Sequence, residues 1–283
     1  MLAFPNLIDA ATLSGGAWQT TLPLANLQDR IIKRPGRTMD AALTSSNFLI
    51  SLPTPKFLRL LALVGHNLSL AARYRVRAAT DAALANVVWD SGWLDVWPVV
   101  YPLGTFGWGD PRVWSGKYTL EEIAGYNQCL TVFLPGTSLA QYIQVDLDDT
   151  GNTDGFVQIG RAFIAPGWVP GLGLQYGATS LGLETETVVQ QAPKTGTEYF
   201  DERPTYRVEQ FTLPHLTEDE GMAGAFELQR QAGISKEVFF VHSMTDDVHA
   251  IRRRFLGRLR KLSPIEYPYF QHTSTAFEIK ELL

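Results

Sequence analysis

Cysteine is nearly absent from this chain. Of 283 residues only Cys129 carries a thiol, which excludes an intrachain disulfide and any cysteine-rich metal site. A lone thiol also fits synthesis in a reducing cytoplasm. Long apolar runs are missing as well. No stretch of about 18 uncharged apolar residues occurs, the length an ordinary membrane-spanning helix needs, so no membrane anchor is expected. The opening Met1–Asp9 has neither a basic segment nor a long apolar run, and no signal peptide is expected there. Positive charge is scarce: 24 Lys and Arg face 29 Asp and Glu, a formal charge of −5. A chain of this sign is a poor general nucleic-acid binder, because phosphate attraction needs a positive field. Charged residues make up only 19% against 45% hydrophobic, which excludes a disordered tail and a coiled coil. Catalytic signatures are missing too. There is no Gly-x-Ser-x-Gly elbow, and His66, His215, His242, His249 and His272 are scattered without a His-Glu-x-x-His spacing. No enzymatic activity, catalytic residue or cofactor is expected.

What is present reads as mainly β. Phe48–Pro53 and Phe57–Val64 are short apolar runs bounded by Pro53, Pro55 and Gly65. Arg73–Ala78 and Gln141–Leu147 alternate polar and apolar residues, the period of a strand with one wet face. The turn-rich Asp148–Gly155 followed by Phe156–Gly160 reads as the rest of a hairpin. Several short strands punctuated in this way predict an antiparallel β-sandwich over residues 1–165. The Gly- and Pro-rich residues 166–182 form a connector, and residues 183–283 form a second domain. Within it, Glu184–Gln191 and Tyr206–Leu213 predict a long hairpin with Lys194–Gly196 in the turn region. Thr217 and Glu220 have the spacing of a capping box and open one main helix, which Gly233 stops. Residues 248–262 carry both a helical stripe and a strand-like alternation. Strand is favoured from about Arg253.

Several patterns invite a ligand and are better read without one. Gly171–Gly177 has one residue too many for a dinucleotide fingerprint and no amphipathic helix after it. Asp146, Asp148, Thr150, Gly151 and Asp154 begin like a calcium loop, but Val157 stands where a bidentate glutamate is needed, so no metal is expected. Arg252–Arg254, Arg258, Arg260 and Lys261 form the one basic cluster, read as a solvated or ion-paired face. The least ordinary feature is aromatic. Trp89, Trp93, Trp97, Trp108 and Trp114 lie in one Gly- and Pro-rich stretch with Tyr101, Phe106 and Tyr118. Trp93, Trp97, Trp108 and Trp114 are the candidate site. They predict either a subunit contact, with core packing as its bland form, or a platform on which sugar rings stack. The contact is favoured over the platform.

The stretches Trp18–Gln28, Leu63–Ser69, Arg73–Arg77, Asp148–Arg161 and Phe277–Glu281 resemble structural proteins of long-tailed bacteriophages, especially Mu-like siphophages and prophages. The resemblance spans nearly the whole chain without a catalytic signature. It implies a virion protein of the tail tip or baseplate, similar to distal tail proteins, made in the bacterial host cytoplasm. It implies a galactose-binding-like jelly roll in the first half. For the second half it implies a tail-tube-like ring domain with one flanking helix and a long hairpin. The implied partners are further copies in a homo-oligomeric ring, a hexamer, around the tail channel, together with tail tube, tape measure and hub. The fold name leaves any sugar open, so a carbohydrate- or receptor-binding module that takes a host surface glycan is the alternative function.

Overall fold

The computed structural model describes every residue except Tyr176 and Ala192, and every side chain but theirs and that of Thr137. Those two residues lie in the expected connector and hairpin turn, so that part of the reading falls outside the described residues. The chain is mainly β, the class its alternating segments predict. It forms two compact units, Met1–Trp168 with Phe239–Phe255, and Val169–Val238 with Leu256–Leu283.

The first unit contains β1 (Leu2–Ala3), β2 (Thr12–Ser14), β3 (Gly36–Arg37), β4 (Asn47–Val64), β5 (Arg73–Ala79), β6 (Val87–Asp90) and β7 (Leu94–Asp95). Two short helices follow, α1 (Arg112–Ser115) and α2 (Leu120–Ile123), and then β8 (Cys129–Asp148), β9 (Gln158–Ile159) and β10 (Arg161–Ala165). Its main sheet runs β10-β4-β8-β5-β6, with β2 against β4 and β7 against β5, and every pairing is antiparallel. Alternation does what the sequence predicts here. Tyr74, Val76 and Ala78 point into the core while Arg75 and Arg77 point out to Asp90 and Asp146, at 2.6 and 3.0 Å. Ile143, Val145 and Leu147 are buried in the same way on β8.

Two expectations are corrected. The runs 48–53 and 57–64 are one strand, because Pro53 and Pro55 sit in an exposed stretch where the register with β8 shifts between Ser51 and Lys56. A proline is tolerated where the ladder is already interrupted. The expected hairpin at 141–160 also fails to close. β9 pairs with β3, not with β8. The turn between them is held from elsewhere, since buried Asp149 accepts from the Ser69 amide at 3.0 Å, from the Ser69 hydroxyl, and from Asn152 Nδ2 at 2.7 Å.

The second unit contains β11 (Ser180–Glu184), β12 (Val188–Gln191), β13 (Glu198–Asp201), β14 (Tyr206–Thr217) and α3 (Glu227–Ala232). The chain continues through β15 (Glu237–Val241), α4 (Ala250–Arg253), β16 (Arg254–Leu259), β17 (Glu266–Tyr269) and β18 (His272–Glu281). Residues 248–262 thus divide into a helical turn and then a strand. In this unit β14 and β18 pair along their length, with Phe211 opposite Phe277 and their rings stacked at 5.5 Å. β11 lies on the far side of β14, and Arg207 is buried in an ion pair with Glu281. The expected hairpin has other arms: Tyr206–Gln210 pair with Ser180–Glu184, which begins inside the expected connector, and Val188–Gln191 pair with Glu198–Asp201.

Helix initiation follows the sequence closely. The Glu220 amide donates to Thr217 Oγ1 at 3.2 Å, and the Thr217 amide donates to Glu220 Oε2 at 3.0 Å. Residues Glu220–Phe226 are wide-turned, with the Glu227 amide reaching Met222 O, before α3 proper begins. Gly221 is required there, since a Cβ would meet Thr273 Oγ1 at 2.3 Å. Glu220 also accepts from the Gly171 amide at 2.6 Å, which with the Thr217 amide holds its carboxyl below the usual range.

Two stability measurements check these assignments. Thr217→Ala removes an N-cap and should cost about 1 kcal/mol, seen as a lower urea midpoint; an unchanged midpoint would contradict the boundary. Asp149→Ala strands buried donors and should cost about 1–3 kcal/mol. Calcium should leave the Tm of the wild type unmoved, and a clear rise would mean that the turn binds the ion.

Candidate functional site

The Trp-rich connection between β7 and β8 has irregular backbone, so its shape must come from side chains. At its centre is Arg112. Its guanidinium grips Asp110 through Nη2 and Nε at 2.6 and 2.9 Å and reaches Glu122 through Nη1 at 3.1 Å. It also lies 3.8 Å over the Phe106 ring and 5.7 Å from Tyr101. Tyr101 donates its hydroxyl to the same Glu122 oxygen at 3.0 Å. Hydrogen bonds from the Arg112 side chain, and then from its amide, bring the Asp110 carboxyl down to about 2. Backbone closure is equally definite. The Val100 and Tyr101 amides both donate to Gly116 O at 2.9 Å. Gly116 has φ +58° and lies so close to Tyr101 O that a Cβ would sit 2.8 Å from it. Thr119 and Glu122 form a capping box on α2.

This scaffold separates the four candidate tryptophans. Trp108 and Trp114 stand out from it as a pair, 85% and 76% exposed, with ring centroids 5.7 Å apart at 68°. Leu103 and Leu120 of the same connection are also exposed. Trp97 goes the other way. It is buried, donates Nε1 to Leu68 O at 3.2 Å, and meets Tyr118 edge-on at 6.3 Å. Trp93 is half-buried, with its ring 6.0 Å from the Arg73 guanidinium. The four are therefore not one surface. Arg112 and its acidic partners had a visible signal, Asp-x-Arg and Thr-x-x-Glu, but only the fold tells which aromatics they hold.

Several of the titratable groups singled out in the sequence are engaged by neighbours. Arg254 of the basic cluster is buried, and Arg253 pairs with Asp246 at 2.8 Å; in the second unit, Arg260 pairs with Glu184 and Lys261 with Glu278. Asp146 is held by Arg77, and Asp154 accepts from Asn67 Nδ2 at 2.8 Å, so the would-be calcium oxygens are engaged. Among the described residues no three His, Cys, Asp or Glu side chains converge to hold a metal, and no helix is long and apolar enough to cross a membrane. His66 is buried 5.8 Å from the Trp97 ring. Its Nδ1 accepts from the Leu68 amide at 3.2 Å, while Nε2 has no partner among the described residues. Burial pushes its imidazolium down to about 3 from the ordinary 6.5.

A pH dependence follows with a definite sign. Below the ordinary value of 6.5 the unfolded chain takes up a proton that folded His66 refuses until about 3. His66 therefore contributes stability above pH 6.5 that is lost as pH falls towards 3. Between pH 6.5 and 5, above the carboxylate range, the wild type should lose Tm while His66→Gln loses less. Equal slopes would contradict a neutral buried imidazole.

No family model matches the chain, and no curated protein matches it. Solved structures with some likeness include a histidine mutant of the lectin binding domain of Lectinolysin complexed with Lewis b. It is 9% identical, covers 59% of this chain and 100% of its own, and has a TM-score of 0.39. A family 32 carbohydrate-binding module from Clostridium perfringens NanJ, in complex with galactose, is 13% identical over 58% of this chain and 98% of its own, with a TM-score of 0.36. CBM32-1 from a family 31 glycoside hydrolase of Clostridium perfringens is 9% identical over 56% of this chain and 96% of its own, with a TM-score of 0.37. At such scores the likeness carries no information about what this chain binds.

Proposed function

We propose that the protein is a non-catalytic recognition protein whose Trp108–Trp114 pair stacks on saccharide rings at a cell surface. The observation that carries this reading is the pair itself: two open indoles at an angle on a connection cross-linked through Arg112. A pyranose has an apolar C–H face that suits the open face of an indole. The charges beneath are closed on one another through Arg112, so the surface offered is apolar rather than ionic. Covering about 150 Å2 of apolar surface contributes roughly 4 kcal/mol, which is millimolar affinity before ordering costs. Such a site works as one of an array, through avidity.

A second reading concerns the array. β12 and β13 pair only with each other among the described residues, and Val188, Val189, Tyr199 and Phe200 on them are all about half exposed or more. A lone two-stranded ribbon is marginal in water. This hairpin therefore supports the role that the phage resemblance implies, a copy in a homo-oligomeric tail-tip ring within the virion. It also removes the need for the indoles to make the subunit contact, and a ring would array them.

Replacing Trp108 and Trp114 together by Ala should abolish binding to host surface polysaccharide while light scattering shows the oligomeric state unchanged. Disassembly with glycan binding intact would instead make the indoles a subunit contact.

A further inference from the structure

A separate cavity of about 340 Å3 lies in the first unit, between β5–β7, the start of β8 and residues 247–254. It shares no residue with the exposed indole pair. Its walls are aromatic, from Tyr74, Trp89, Trp97, Tyr118 and Phe133. Tyr74 is 8% exposed as a residue and lines this space. The hydroxyl is reached from the open space, so it is free to donate to whatever occupies the cavity.

The charged groups on the lining are Asp95, Asp247 and Arg254. The Arg254 guanidinium is committed to other partners. It donates to Ser243 O, Met244 O, Asp246 O, Thr131 Oγ1 and Asp247 Oδ1, all at 3.0–3.3 Å, and lies 5.0 Å over Phe133. Asp95 meets Lys117 at 2.9 Å and Arg73 at 3.9 Å, and neither of those cations lines the cavity. Asp247 keeps Oδ2 without a described partner, on a side chain 60% exposed. Burial, and then the charge of Asp247, push the Tyr74 phenol up, so the hydroxyl stays protonated in a negative field.

We propose that this cavity binds an organic ammonium ion, with the Trp and Tyr rings around the cation, Asp247 as counter-charge and the Tyr74 hydroxyl donating to an adjacent oxygen of the ligand. Ring quadrupoles and a carboxylate favour a soft cation, and aromatic cages take quaternary ammonium heads in this way. The volume is at the small end for ligand pockets and suits a head group.

Choline chloride titrated into the full chain, against matched sodium chloride, is the test, read by tryptophan fluorescence and calorimetry. Its neutral isostere 3,3-dimethylbutan-1-ol has the same shape without the charge. Choline should bind saturably and at least tenfold more tightly than the isostere. Asp247→Asn should weaken choline at least fivefold with unchanged circular dichroism, and Asp95→Asn is the second variant should the first misfold. Isostere binding as tight as choline, absence of saturable choline binding, or wild-type affinity in the folded Asn variants would each overturn the proposal.

Discussion

The pairing of two long strands, Asn47–Val64 with Cys129–Asp148, is the constraint on which the first unit depends. It runs from Asn47 opposite Asp146 to Val64 opposite Cys129, and its inward residues, Phe48, Ile50, Leu61, Leu63, Ile143 and Val145, form much of the core. Because side chains alternate with period two, a slip of one residue would turn all of them outward. β5 and β10 take their register from these strands in turn. The Trp-rich connection leaves this sheet after β7 and re-enters at β8, so both of its ends are fixed. What lies between can then be shaped by a few strong contacts around Arg112 instead of by regular structure.

Local signals could be read from the sequence where they act within a few residues. The alternation at 73–78 and 141–147 and the Thr217–Glu220 capping box have local causes, whereas the turn at 148–155 is held by Ser69 and Asn67. Strand continuity through Pro53 and Pro55 could not be read, because it depends on a register shift in a strand more than 80 residues away. The partner of β9 was hidden for the same reason, since it lies at Gly36–Arg37. Residues 248–262 gave two periodicities because both are used in succession, in α4 and then β16. The tryptophans were recognisable as unusual but not as three environments. Whether an indole faces Leu68 O, Arg73 or solvent is decided by tertiary contacts. Tyr74 is the clearest omission: its place in an alternating strand marks it as core, and nothing local reveals the open space beside its hydroxyl.

Recognition and assembly are physically coupled in this account. A single indole corner binds weakly, and residence on a surface requires several at once. The exposed β12–β13 hairpin is the surface proposed for gathering copies, and the Arg112 network would limit the ordering that each proposed binding event requires. Rigidity before binding is the feature that separates a recognition head from a loop that folds on contact.

The most direct test of that central claim is fluorine NMR of protein labelled with 5-fluorotryptophan, with the seven resonances assigned by single Trp→Phe replacements. On titration with host surface polysaccharide, the Trp108 and Trp114 signals should shift together while Trp97 stays in place. Stationary Trp108 and Trp114 signals, or shifts that follow protein concentration instead of polysaccharide, would contradict the account.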